Sequence, residues 1–241
     1  MSPAPPLHNL MHNLAETFHF LSLVVDYKVA PRGIVYAGAF TGEHIPIFLT
    51  IGFERVLAIE PNPAAFAQLS KLASDRVRCV HGALSASEGS ASLYDVEGVP
   101  TLNSLLEPDL PAIFAHLGRR PPSLDRIAVK TFALDDILGG LPEETYNVLY
   151  MNIQGGELNA LLGASGSLSG LQAIVTEVNF VPRYRGCPTF DVLDRHLEER
   201  GFRMMRLRKY GWSGGEHGEA FYLSHAHLDA NKPCRAATPG A

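Results

Sequence analysis

Gly33-Ile-Val-Tyr-Ala-Gly-Ala-Phe-Thr-Gly42 and, a little further on, Arg55-Val-Leu-Ala-Ile-Glu-Pro-Asn-Pro63 decide how this chain folds. Gly33–Ala37 is a short β-prone run, and Gly38 and Gly42 bracket a turn. Glu43–Thr50 suits a helix start with Pro46 in its first turn. Arg55–Glu60 reads as a buried strand ending in an acid. In a parallel sheet, ligands bind beyond the carboxyl ends of the strands at the switch point. Small turn residues let backbone approach the ligand, and an acid at the end of the second strand can accept from both ribose hydroxyls. A dinucleotide turn would carry a third glycine to seat a pyrophosphate on a helix N-terminus. Here the turn is G-x-x-x-G, with bulky Phe40 inside it. An adenosine ligand without phosphate, S-adenosylmethionine, fits these residues best. A nicotinamide enzyme and a structural turn without ligand stay open.

Outward from that segment, strand and helix patterns alternate. Asn62 suits an N-cap and Pro63 the first helical position, with Phe66, Leu69 and Leu72 on one face. Val77–Val80 reads as a third strand and Ala91–Val96 as part of a hairpin. After a Pro/Gly-rich stretch (98–122) come Ile127–Phe132, a short helix at Asp135–Leu138 and the strand Asn147–Met151. A helix over Gly155–Leu162 and the strand Leu171–Val178 follow. Thr189 caps a helix carrying Phe190, Leu193 and Leu197, stopped by Gly201. Phe202–Leu207 and Glu219–Leu223 form a closing antiparallel hairpin. On the N-terminal side, Leu7, Leu10, Met11, Leu14, Phe18, Leu21 and Val25 recur at helical spacing, closed by Pro31 and Gly33. The pattern predicts an α/β sandwich around a mostly parallel sheet. Residues 1–31 form a tail and helix, 32–224 the main domain, and 225–241 a flexible tail.

Composition sets the class. Of 241 residues, 46% are hydrophobic and 19% charged, as in an ordinary soluble globular protein. The net charge is −5 and there is no dense Lys/Arg run, which argues against a nucleic-acid partner. Phe18–Val25 is too short to span a bilayer, which takes about 20 residues, so no membrane partner and a cytoplasmic location are expected. Cys79, Cys187 and Cys234 are scattered, against both a disulfide framework and a structural zinc site. His225 and His227 have no acid at ligand spacing and read as solvated.

Six blocks in order carry a resemblance: Tyr36–Glu43, Leu57–Pro63, Gly82–Ser85, Asn103–Leu106, Thr131–Asp136 and Leu149–Leu158. Together, over about residues 32–208, they are similar to the FkbM-type methyltransferase family. The resemblance implies a class I methyltransferase (Rossmann-like) sandwich with a seven-stranded sheet and S-adenosylmethionine as donor, leaving S-adenosylhomocysteine as product. It implies a small-molecule acceptor, a hydroxyl of a sugar, glycan or polyketide-like metabolite. Position by position, Gly38, Ala39, Phe40 and Thr41, with Gly42, would line the methionine part, and Glu60 with Pro61 the ribose. Gly82 and Ala83 would flank the adenine, Ser104 would lie in a loop closing over the site, and Asn152 would reach the cofactor. Three positions depart from the family: Tyr36 replaces an acid, Phe40 a polar residue, and Asn152 the Asp of an Asp-x-Glu/Gln-Gly block.

Methyl transfer to a hydroxyl needs alignment and removal of a proton. Candidates at carboxyl ends of central strands are Glu177, Asn152 and His81, with Gln154 and Asn179 nearby. Glu177 ends an apolar strand, where an unpaired acid is costly, and so reads as a base or metal ligand or as a member of a structural hydrogen-bond network. Asn152 cannot take a proton but can orient an acceptor, leaving O- and N-methylation open, and it argues against a tight metal site. No metal is predicted. A non-catalytic nucleoside-binding module is the alternative that Tyr36, Phe40 and Asn152 support, and a homodimer stays open.

Overall fold

The computed structural model describes residues 20–22, 24–115, 120–142, 145–210 and 215–231. Ten strands occur among them: β1 (Gly33–Ala37), β2 (Arg55–Glu60), β3 (Val77–His81), β4 (Ala83–Leu84), β5 (Gly89–Val96), β6 (Leu124–Phe132), β7 (Val148–Met151), β8 (Ala173–Asn179), β9 (Phe202–Lys209) and β10 (His217–Ser224). The helices are α1 (Ile45–Ile51), α2 (Pro63–Leu69), α3 (Leu110–Ala115), α4 (Leu134–Leu138), α5 (Glu157–Leu162), α6 (Phe190–Glu198) and α7 (His225–Ala230).

Seven strands form one sheet in the order β3-β2-β1-β7-β8-β10-β9. From β3 to β8 every pairing is parallel, and β10 runs antiparallel to both neighbours. The chain leaves β1 for β2 and β3 on one side and returns to β7 on the other, so the switch point lies between β1 and β7. Parallel central strands are apolar on both sides because helices cover both faces. Ile34, Tyr36, Val56, Ala58, Val148 and Tyr150 face the layer containing α1. Val35, Ala37, Leu57, Ile59, Leu149 and Met151 face α4, α5 and α6. The parallel sheet and its antiparallel C-terminal pair are as the sequence pattern predicts.

Three features differ from that expectation. First, β5 is no part of a local hairpin. It pairs antiparallel along its whole length with β6, and β4 pairs parallel with the far end of β6. A separate three-stranded sheet results, in the order β4-β6-β5. The β5–β6 partners lie between 28 (Val96–Leu124) and 42 (Gly89–Thr131) positions apart in sequence, so no turn signal announces the pairing. Second, residues 20–22 and 24–26 are helical, but the buried positions are Phe20 and Val24, while Val25 is 64% exposed. Phe20 is drawn inward by aromatic contacts with Phe48, Phe53 and Tyr150. The expected helix from Leu7 to Phe18 lies outside the described residues. Third, the expected tail begins with α7. The Ser224 side chain caps it by accepting from His227 N, and buried His227 holds Tyr27 O at 2.8 Å through Nε2. His227 is therefore a packing residue and not a solvated one.

Asn147 ties the amino ends of the central strands. It is fully buried, its Oδ1 accepts from Gly33 N, and its Nδ2 donates to Ala30 O and Gln172 Oε1. Removing the amide strands the Gly33 N–H and leaves the Ala30 carbonyl and Gln172 Oε1 without this donor, each lost partner costing about 1–3 kcal/mol. Asn147→Ala is expected to lower stability by about 3 kcal/mol or more in urea titration; a loss under about 1 kcal/mol would show that the amide is not a structural tie.

Candidate active site

The carboxyl ends of β1, β2 and β7 and the turn after β3 open on a cleft. One rim is the glycine turn. Gly38 has φ +75°, and a Cβ there would sit 1.9 Å from Asn152 O, so only glycine fits between β1 and the loop after β7. Phe40 is also left-handed, at φ 48°, a conformation that costs a side chain about 1–3 kcal/mol. It is held there because its N–H donates to Glu60 Oε2 at 2.8 Å.

Glu60 is 6% exposed. Its other oxygen, Oε1, accepts from Asn62 N at 2.8 Å. Burial pushes this carboxyl up from its ordinary value, and the two backbone N–H groups pull it back. Each oxygen keeps a further lone pair for a ligand in the cleft that Glu60 lines. Asn62 serves twice, since its Oδ1 caps α2 by accepting from Ala64 N and Ala65 N. The opposite wall comes from the second sheet and its loop: Leu84, Leu93, Pro100, Thr101, Asn103 and Leu105. Asp95 on β5 accepts from both Asn62 and Asn103, which fastens that wall to the Glu60 turn.

Of the positions singled out in the sequence, Gly38, Phe40, Glu60, Pro61, Gly82, Ala83, Ser104 and Asn152 line the cleft. Ala39 is wholly buried beneath the turn, and Gly42 packs towards Leu69 and Leu72. Thr41 and Gly42 are not on the cleft wall. Ser104 is a clasp: its hydroxyl donates to Gln154 O and accepts from Leu106 N. His81 does not face the cleft. Its ring stacks on Phe66 at 4.5 Å with Nε2 3.2 Å from Pro61 O, because the strand ends there and the side chain turns back over α2. Glu177 is not among the residues that line the cleft, and its Oε2 accepts from Gln154 Nε2, which is.

Tyr36 and Gln154, both singled out in the sequence, also line the cleft, and His44, which was not, joins them. Tyr36 and His44 meet at 2.8 Å between Oη and Nδ1, and Glu43 sits beside them, open to solvent. Gln154, at φ 55°, joins most of the polar groups behind the wall. Its Nε2 donates to Asn152 Oδ1 at 2.6 Å and to Glu177 Oε2 at 2.9 Å, and its Oε1 accepts from Tyr184 Oη at 2.6 Å. The Gln-Gly dipeptide was a faint signal for such a strained turn; the partners come from distant loops.

Burial pushes Glu177 up to about 8, with neighbouring Glu157 adding to the effect and Arg183 opposing it. Glu157, accepting from Ile153 N, is pushed up to about 7 by burial. Arg183 donates from Nη1 to His217, whose burial pushes it down to about 4, so the imidazole is neutral. At neutral pH Glu177 therefore carries its proton. Among the described residues no three His, Cys, Asp or Glu side chains group to hold a metal.

An unfolded chain ionises Glu177 near its ordinary carboxylate value, whereas the folded chain keeps the proton up to about 8. Stability is then full below the unfolded value and falls as pH rises towards 8. Glu177→Gln removes this slope. Between pH 5.5 and 7.5 the native chain is expected to lose about 2 kcal/mol more than the variant in urea titrations; parallel profiles would contradict the buried, protonated acid.

The model of the methyltransferase FkbM domain matches residues 38–204 of this chain. No curated protein matches the chain closely enough to count as a relative. Among solved structures, the methyltransferase FkbM from Methylobacillus flagellatus KT is similar at a TM-score of 0.52 and 16% identity. The likeness covers 80% of this chain but 43% of that one, so this chain spans less than half the length of that protein. The N-terminal domain of human METTL16, solved in complex with SAH, gives a TM-score of 0.48 at 14% identity, covering 93% of this chain and 72% of that chain. The glycopeptide N-methyltransferase MtfA, solved with SAM, gives 0.43 at 13%, covering 87% and 86%. The strand order, the fold likeness and a family match over well over half of its length agree: this chain has the class I methyltransferase fold and belongs to the FkbM methyltransferase family.

Proposed function

We propose that the cleft binds S-adenosylmethionine and that the protein methylates a hydroxyl of a small molecule, such as a sugar or secondary metabolite. The observation that carries this reading is Glu60, a buried acid that lines the cleft and whose two oxygens each accept one backbone N–H, leaving a lone pair on each. Two hydroxyls on adjacent carbons of a ribose match two such oxygens. The slot beside it, between Gly82–Ala83 and Leu84 and Leu93, is apolar and suits an adenine ring. Among the described residues no lysine or arginine lines the cleft, which favours a nucleoside without phosphate over a dinucleotide.

When bound, S-adenosylmethionine supplies a methyl group on a cationic sulfur. The chain's part is to hold the reactants and to take the acceptor's proton. Tyr36 and His44 are the cleft-lining pair placed for the second task. The acceptor's hydroxyl proton passes to Tyr36 Oη while the tyrosine proton passes to His44 Nδ1. Glu177, protonated and set behind Gln154, is not placed to act as that base. His81, with its ring stacked on Phe66 and Nε2 turned to Pro61 O, is not placed either.

Calorimetry with S-adenosylhomocysteine tests the cofactor reading. The native chain is expected to bind it in the micromolar range, and Glu60→Gln at least about tenfold more weakly, since a charge-assisted contact is lost. Equal affinity in the two would sink the ribose assignment. The acceptor class is tested by offering methyl-labelled S-adenosylmethionine with hydroxyl-bearing and amine-bearing small molecules. Label is expected on oxygen; label on nitrogen would overturn the O-methylation reading.

A further inference from the structure

Asn152 stands where an acid is usual in this family, and the structure gives the substitution a direction. Its side chain is exposed on the cleft wall, next to the glycine turn, since Gly38 lies against the Asn152 backbone oxygen. The Tyr184 hydroxyl donates to Gln154 Oε1 at 2.6 Å, which turns Gln154 Nε2 towards Asn152 and Glu177. Asn152 Oδ1 is consumed by that Nε2 at 2.6 Å. What Asn152 then presents to the cleft is Nδ2, a donor only. An aspartate here would present a negative oxygen instead.

Among the described residues, Glu60 and Glu43 are the acids that line the cleft, and no lysine or arginine does. A ligand carboxylate entering at the Gly38 end must therefore be met by neutral donors. We infer that Asn152 Nδ2 binds the α-carboxylate of the amino-acid part of the methyl donor, and that Gln154 is the positioning residue that aims it. The inference rests on the cofactor reading above and deepens it. It also gives the left-handed backbone at Gln154 a use. In that conformation one side chain meets Asn152, Glu177 and Tyr184 together, with Ser104 clasping the Gln154 carbonyl.

The test compares S-adenosylhomocysteine with its decarboxylated analogue, S-adenosyl-3-thiopropylamine, which keeps the nucleoside, the sulfur and the amine. Calorimetric dissociation constants are measured for the native chain, Asn152→Asp, Asn152→Ser, Gln154→Leu and Glu60→Gln. The native chain is expected to prefer the carboxylate-bearing ligand by about tenfold or more, the size of one hydrogen bond to a charged group. Asn152→Asp and Asn152→Ser are expected to bring that ratio to within about threefold of unity, and Gln154→Leu to reduce it while Asn152 itself is intact. Glu60→Gln is expected to weaken both ligands alike and leave the ratio unchanged. Asn152 is exposed, so its variants are expected to fold. If both Asn152 variants keep the native ratio, the inference is overturned while the cofactor reading stands. If the native chain binds neither ligand, both fall together.

Discussion

A carboxylate is kept almost out of water at the end of β2, and much of the site follows from how it is held. Taking an anion out of water is costly unless its lone pairs are met. Here the meeting groups are backbone N–H groups of Phe40 and Asn62, not a cation. That choice constrains the chain on both sides. Phe40 must turn left-handed to aim its N–H at Glu60, and Gly38 must lie against the loop after β7 for the turn to fit. Asn62 must begin α2 in the place where its own amide N–H points back to the acid.

The second sheet has its place in the same arrangement. Asp95 reaches Asn62 from β5 and Asn103 from the following loop, so the far wall of the cleft is fastened to the Glu60 turn. Ser104 fastens the same loop to Gln154, on the other flank of the cleft. The cleft is thereby closed by short polar contacts on a rigid sheet, which is how a site holds a ligand without rebuilding itself.

What the sequence showed depended on range. Glu60, Gly38, Asn62 and Pro63 were readable because their roles are local: a turn, a cap, an acid at a strand end. The parallel sheet was readable because apolar strands alternate with helical faces. The pairing of β5 with β6 was not, since the partners are distant and neither strand contains a turn signal. The shift of the N-terminal helical face to Phe20 and Val24 came from aromatic packing against α1, a tertiary effect that periodicity does not carry. Glu177 looked like a base because it is an acid at a strand end. The structure puts Gln154 in front of it and keeps its proton on. His81 occupied the right position in sequence, but its ring folds back onto Phe66 and its Nε2 onto the Pro61 carbonyl, a tertiary packing that the sequence pattern does not carry.

Whether Glu60 holds a ribose is the claim on which the rest hangs. The most direct measurement is the affinity for S-adenosylhomocysteine set against its 2′,3′-dideoxyribosyl analogue, by calorimetry on the native chain. Loss of two hydroxyls that donate to a buried carboxylate is expected to weaken binding about a hundredfold. Affinities within about threefold of each other would mean that the carboxylate does not meet the ribose, and the account of the site would be wrong.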